Sequence, residues 1–305
     1  MPSHTVITLD LNFMGVSGTI AAYLIPHAQG AILVECGPSS TLPALQAGLE
    51  AYGLTASDVT DVLLTHIHLD HAGAAGWLAR QGARIYVHPA GAPHLRDPEK
   101  LLNSAQRIYG DTMQTLWGEF LAVPPERLHI PQNGDDIEIG GLHLRAIDTP
   151  GHAEHHFVYV LDDLCFSGDI GGVRVGNLRH LRLPMPPPEL HLGKWRESLM
   201  RLRELPIQRI APTHYGIFND ADWHLAAIER ALNDVEAWIE SIMPSDPPLD
   251  TINKHFIEWS RQRSLNEGVQ PELIEEYEVA NPSWMSTLGI QRYWRKFLSE
   301  NRDAS

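Results

Sequence analysis

The sequence predicts an α/β protein, a four-layer αββα sandwich carrying a helical C-terminal extension. Three observations lead there. Short apolar runs bounded by Gly, Pro and Asp form two sets, one before residue 90 and one after residue 135. Segments with helical spacing alternate with those runs, which suits sheets covered by helices on their outer faces. Five of the eight Trp residues (Trp223, Trp238, Trp259, Trp284 and Trp294) fall after residue 220, where apolar residues repeat at helical intervals. The boundaries follow as 1–220 for the sandwich and 221–305 for the extension.

In chain order, Thr5 to Phe13, Ile20 to Ile25 and Ala31 to Glu35 read as strands, punctuated by Gly15, Gly18 and Gly30. Thr41 to Tyr52 reads as a helix with Leu42, Leu45 and Leu49 on one face and Ser40 suited to cap it. Val62-Leu63-Leu64 is a buried strand, a helix follows between Gly73 and Arg80, and Ile85 to Val87 is a further short strand. The second half repeats the theme, with strands near 136–139, 142–147, 157–161 and 164–167, a helix from Lys194 to Glu204 and a strand at 207–211. Residues 91–128 are too many for a simple connection, and Leu101, Ala105, Ile108, Met113, Leu116 and Phe120 are spaced for one or two helices. That insertion is either a surface flap or a wall over a site. Beyond residue 220, Ile228, Leu232, Val235, Ile239 and Ile242 form an amphipathic stripe, Pro244 to Pro248 ends it, and two or three helices follow with Pro271 and Pro282 as start signals. This segment is expected to dock on the main domain; a homodimer surface or a lid are the other uses of its aromatic side chains.

The richest stretch is Thr65-His66-Ile67-His68-Leu69-Asp70-His71-Ala72-Gly73. Four side chains able to bind metal stand within six residues, just past the Val62 to Leu64 strand. In an extended segment alternate side chains share a side, so His66 and His68 can reach one ion together. Asp70 and His71 come where the chain turns toward a helix and address a neighbouring position. Two ligand pairs suggest two ions, and neither pair closes a coordination shell alone. More ligands stand past the ends of later strands: His152 in Thr149-Pro150-Gly151-His152, Asp169 in Ser167-Gly168-Asp169, and His214 in Pro212-Thr213-His214-Tyr215. Imidazole nitrogen and carboxylate oxygen suit zinc, and also manganese or iron.

This set, His66-x-His68-x-Asp70-His71 followed by His152, Asp169 and His214, resembles the full ligand set of the metallo-β-lactamase superfamily over about residues 5 to 220. More narrowly it is similar to the dinuclear hydrolases, which include glyoxalase II, the acyl-homoserine lactonases and the RNase Z group. His88-Pro89-x-Gly91-Ala92, Asp97-Pro98, Tyr109-Gly110-Asp111 and Pro186-Pro187-Pro188 further resemble an archaeal and bacterial subgroup of metallo-hydrolases with no assigned substrate. The resemblance implies the αββα fold. It implies that His66, His68 and His152 hold one divalent ion, that Asp70, His71 and His214 hold a second, and that Asp169 bridges them.

The implied chemistry is hydrolysis. Two ions at roughly 3.5–4 Å share a water and lower its pKa toward neutrality, and the hydroxide attacks a thioester, lactone or ester carbonyl. Asp70 would take up the proton and pass it to the leaving group. Tyr215, next to a ligand, would donate a hydrogen bond to the developing oxyanion, unless it is a packed tyrosine. His155 and His156 follow closely on His152, and one of them suits a partner behind the ligands. The rival readings are a phosphodiesterase and an oxidoreductase similar to the persulfide dioxygenases, which hold a single iron at the positions matching His66, His152 and Asp169.

Composition narrows the partners. The 305 residues carry 23 Lys and Arg against 38 Asp and Glu, a formal net charge of −15, with no basic run. Phosphate backbones are bound largely through Lys and Arg, so nucleic acid is not an expected partner, and neither is an anionic membrane surface. A small-molecule substrate is. Met1 to Asp10 shows no basic stretch followed by an apolar one, and the two cysteines, Cys36 and Cys165, are too few for a disulfide framework. A cytoplasmic location is the expectation that follows.

Overall fold

Alternation with a period of two decides the layering, because successive side chains of a strand enter opposite faces of its sheet. The computed structural model describes residues 4–298. Residues 1–3 of the expected N-terminal segment and 299–305 of the expected extension lie outside the described residues. Strands β1 (Ile7–Asp10), β2 (Ala21–His27), β3 (Gly30–Val34), β4 (Val59–Leu63), β5 (Arg84–Tyr86) and β6 (Leu128–His129) form the first sheet in sequence order. The second sheet runs β11 (Arg209–Ala211), β10 (Leu164–Phe166), β9 (Phe157–Leu161), β8 (Leu142–Asp148), β7 (Asp136–Ile139). In the first sheet β3 to β6 are parallel; in the second only the β10–β11 pair is.

Along β2, Ala21, Tyr23 and Ile25 face the second sheet, while Ala22 and Leu24 face helices. Along β3, Ile32 and Val34 face inward and Ala31 and Leu33 outward. Phe157, Tyr159 and Leu161 of β9 meet them from the other sheet. The outer face of the first sheet is covered by α1 (Leu42–Glu50) and α3 (Ala75–Gln81), through Leu45, Leu49 and Leu78. The outer face of the second is covered by α7 (Leu192–Arg203) and α8 (Ala221–Ile242), through Trp195, Leu199, Leu225 and Ile228. The fold is therefore the αββα sandwich expected.

Several boundaries move. The insertion holds three short helices rather than one or two: α4 (Ala92–Arg96), α5 (Glu99–Tyr109) and α6 (Met113–Trp117). Pro93 sits in the first turn of α4, and Gly110 and Gly118 stand just past α5 and α6 at positive φ, so turn chemistry cuts the apolar stripe into pieces. The short parallel strand β6 leaves no pattern of its own in two residues. The C-terminal helices α9 (Leu249–Asn266), α10 (Pro271–Ala280) and α11 (Ser283–Tyr293) follow. Pro271 opens α10 and Pro282 precedes α11, as their fixed φ suits. Phe256, Ile290 and Tyr293 join the apolar cluster that α7 and α8 build on the second sheet, so this segment packs into the same core.

The fold positions the site through a strap, residues 181–190, that runs between the sandwich and α11. Leu181, Leu183, Met185 and Leu190 are buried on the second sheet's helical side. The strap touches α11 at Gly289, where an added Cβ would stand 1.9 Å from the Met185 carbonyl oxygen. Backbone cannot yield there as a flexible side chain could, so Gly289→Ala should cost about 1–3 kcal/mol. A denaturant melt showing a lowered midpoint with unchanged slope checks this; an unchanged midpoint would mean that α11 is not seated on the strap.

Candidate metal centre

The sequence Leu64-Thr65-His66-Ile67-His68 leaves β4 extended, so His66 and His68 fall on one side and Ile67 on the other, buried in the core. The chain then turns at once into the one-turn helix α2 (Leu69–Ala72). Asp70 and His71 thus stand on a helix, not on the turning loop that the sequence suggested before Gly73. Gly73 is needed for another reason, since a Cβ there would lie 2.6 Å from the Pro38 backbone.

Three loops from later in the chain close over this segment. His152 Nε2 lies 3.2 Å from His66 Nε2 and 2.9 Å from His68 Nδ1, and those two nitrogens are 2.9 Å apart. Asp70 Oδ2 lies 3.6 Å from His71 Nε2 and 3.4 Å from His214 Nε2. Asp169 stands between the groups. Its Oδ2 is 3.3 Å from His152 Nε2 and 4.0 Å from His66 Nε2, and its Oδ1 is 3.3 Å from His71 Nε2 and 3.5 Å from His214 Nε2. All seven side chains singled out in the sequence as metal-ligating converge, in two sets of three with one carboxylate facing both.

Four of the five rings are aimed by what their far nitrogen meets, while His68 faces the others through Nδ1. His152 Nδ1 donates to the Pro184 carbonyl at 2.8 Å and His214 Nδ1 to the Thr19 carbonyl at 2.7 Å. His66 Nδ1 lies 3.0 Å from Thr65 Oγ1, and His71 Nδ1 lies 3.0 Å from Glu35 Oε1. These contacts set the tautomer and leave Nε2 of all four rings facing the centre. Glu35 was not anticipated. It is buried just past β3, accepts from the Thr65 and Thr213 hydroxyls and from the Thr65 backbone N–H, and so ties His71, the first motif and the His214 loop together. The available signal was an acid closing the apolar run Ala31-Ile32-Leu33-Val34.

Comparison with known proteins gives this arrangement a family. The model of the metallo-beta-lactamase superfamily matches residues 17–214, well over half of the chain. The chain belongs to the metallo-beta-lactamase superfamily. It is 29% identical over 160 residues to a metallo-beta-lactamase fold-containing protein of Sulfurisphaera tokodaii, a match covering 51% of this chain but 60% of that relative's length. It is 26% identical over 254 residues to a hydroxyacylglutathione hydrolase of Bradyrhizobium, covering 80% of this chain and 77% of the relative. Among solved structures, a metallo-beta-lactamase family protein of Thermus thermophilus superposes with a TM-score of 0.65 at 23% identity, over 97% of this chain and 94% of that one.

The superfamily's metal chemistry fits the residues present. His71 Nε2 and Asp169 Oδ1 are buried and hydrogen-bond to nothing. Such atoms cost about 1–3 kcal/mol each when left unpaired, and a cation between them removes that cost. Burial, reinforced by the neighbouring rings, keeps His66 and His68 neutral, with His68 pushed down to about 3. A neutral imidazole has the lone pair that a metal needs. Burial alone would raise the Asp169 carboxyl, but His71, His152 and His214 outweigh it and hold it well below its ordinary value. Burial would likewise lower His71 and His214, and the facing Asp169 and Asp70 carboxylates raise both instead. The second trio is thus a place that favours positive charge.

Above the seven side chains lies a cavity of about 520 Å³, bordered by His68, Asp70, Asp169 and His214 at its floor. Residues of α5, α6, α10 and α11 form its walls, so the insertion serves as a wall rather than a detached flap. Tyr215 does not border it. Its half-buried ring packs beside Gly18 and against the core between the two sheets, because the backbone at Tyr215 turns to donate to the Arg174 carbonyl. This packing supports the packed-tyrosine reading of that position over the oxyanion donor. Tyr109 at the end of α5 does line the cavity, and burial followed by the nearby Asp70 charge raises its phenol, so it stays protonated. His155 also borders the cavity, whereas His156 stacks on His66 from behind and bonds Thr149 Oγ1 at 2.9 Å.

Glu35→Ala should weaken the metal affinity of the second trio about 10–100-fold, the usual cost of losing a partner that orients a ligand. Competition with a coloured chelator reads this without any substrate. Wild-type affinity in the variant would mean that Glu35 supports the fold alone.

Proposed function

We propose that this chain is a dinuclear metal-dependent hydrolase that cleaves a thioester, lactone or ester carbonyl. The observation that carries the reading is Asp169, whose two carboxylate oxygens face two different ligand trios. His66, His68 and His152 would hold one divalent ion, Asp70, His71 and His214 the other, and Asp169 both. A pair of ions supplies Lewis acidity toward the carbonyl oxygen and an acidified water at neutral pH.

The chain's own residues do the rest. Asp70 borders both the second trio and the cavity, so it can take a proton from the attacking water and return it to the leaving group. Tyr109 lines the same cavity, and burial together with the Asp70 charge keeps its phenol protonated. A protonated phenol there donates to the oxyanion as charge develops on it. The largely apolar walls lower the local polarity around these groups, and contacts between charges are stronger in such surroundings. The second trio is what a mononuclear iron oxidoreductase would not need, and its completeness favours hydrolysis over that alternative.

Elemental analysis of the purified chain should return about two ions per chain, and dialysis against chelator should abolish hydrolysis reversibly. Asp169→Ala should lose most activity together with at least one ion; full turnover with intact metal would remove the bridging role. A single iron with oxygen uptake on glutathione persulfide would replace the hydrolase reading altogether. Tyr109→Phe should lower kcat by about 100-fold with little change in KM, the usual cost of one lost oxyanion donor. Tyr215→Phe should leave both parameters near wild type.

A further inference from the structure

We propose that the substrate carries an extended apolar acyl chain next to its scissile carbonyl, and that this chain fills the cavity above the seven-residue centre. This rests on the hydrolase reading. The cavity, at about 520 Å³, is within the range of small-molecule pockets, far larger than an acetyl group requires. Its walls come from three separate parts of the chain: Phe13 after β1, Leu101 and Trp117 in the insertion, and Val279 and Met285 in α10 and α11. Phe13 stacks on Trp117 with ring centroids 5.5 Å apart, and Tyr109 meets both Trp117 and Trp284 edge-on. These contacts join insertion and C-terminal helices into one continuous apolar surface.

The charges at the cavity point the same way. Lys100 is the one Lys or Arg among the described lining residues, and it is exposed. The acids Glu278 and Glu189 on the same lining are already engaged. Glu278 pairs with Arg182 and accepts from the Ser283 hydroxyl, and Glu189 accepts from the Glu154 N–H and faces His155. A glutathione thioester brings two carboxylates that need cationic or N–H partners when taken from water. Here the lining offers them Lys100 alone among Lys and Arg, together with the acids Glu189, Glu278 and Asp70. The lining therefore selects against the glutathione moiety that the name of the Bradyrhizobium relative implies, and in favour of methylene and methyl groups.

The test pairs binding with turnover on the full chain. Non-hydrolysable N-methyl amides R–CO–NH–CH3, with the acyl-side chain R running from ethyl to dodecyl, are titrated calorimetrically into metal-free and zinc-loaded protein. Kd should fall about fourfold for each added methylene until the cavity is full, and in both metal states. In parallel, kcat/KM is measured for p-nitrophenyl esters from acetyl to dodecanoyl and for S-acylglutathiones bearing the same acyl groups. It should rise with chain length along the ester series and be lower for each glutathione partner. Leu101→Glu, on the half-buried wall of α5, should weaken the octyl amide at least tenfold and leave the ethyl amide unchanged. The wild-type series decides the matter even if that variant fails to fold. Affinity flat in chain length, or tighter binding of S-hexylglutathione than of the hexyl amide, overturns the inference while leaving hydrolysis standing. Chain-dependent binding with no turnover of any ester or thioester supports the apolar occupant and sinks the hydrolase reading.

Discussion

A carboxylate that faces two clusters of imidazole nitrogens from 3.3 to 4.0 Å is stable only where both clusters are held still, and Asp169 is such a carboxylate. It is buried, and the rings that offset its desolvation arrive from three separate loops. Moving any of these loops would strand a buried charge, which costs more than almost any other single change in a protein interior. The sandwich supplies the stillness. Each loop leaves a strand that is hydrogen-bonded within a sheet and buried on at least its inner face, so the loop bases inherit the rigidity of the sheets.

The contacts behind the ligands extend this rigidity outward. Pro184 and Thr19 offer backbone carbonyls, and Glu35 joins Thr65, His71 and Thr213 in one hydrogen-bonded group. The strap that presents Pro184 is itself pinned by Gly289 of α11. The C-terminal helices thus act on the centre indirectly, by holding the chain that orients His152. They act on it directly as well, since Val279, Trp284 and Met285 enclose the space above it. A helical segment with its own aromatic stripe is in this way both buttress and wall.

Polarity is divided sharply within a few ångströms. Below lie seven side chains able to bind metal, whose protonation is governed by burial and by one another; above lies a lining mostly of aliphatic and aromatic carbon. Such a division favours substrates whose reacting group is polar and whose remainder is not. It also keeps the Tyr109 phenol protonated, because burial and the Asp70 charge both oppose its ionisation.

How much of this was legible beforehand follows from the range of the interactions. The apolar runs of β2, β3 and β9 are written in adjacent residues, and so is the spacing of His66, His68, Asp70 and His71, so strands and ligand types could be read from the chain. His152, Asp169 and His214 were recognisable because ligand residues beside Gly or Pro after a strand keep a local signature. The one-turn helix under Asp70 and His71 left no such mark, being shorter than any helical period. Which tyrosine lines the cavity was decided only in three dimensions. Tyr215 is next to a ligand in sequence yet turned into the sheet core, and Tyr109 reaches the cavity from an insertion that ordinary spacing describes merely as helical. The partners that aim the rings were equally hidden: backbone carbonyls are the same in every residue, and Thr19 lies 195 positions from the histidine it orients. Local pattern determined the elements and the donor set; long-range packing decided which groups share a cavity and what its walls will accept.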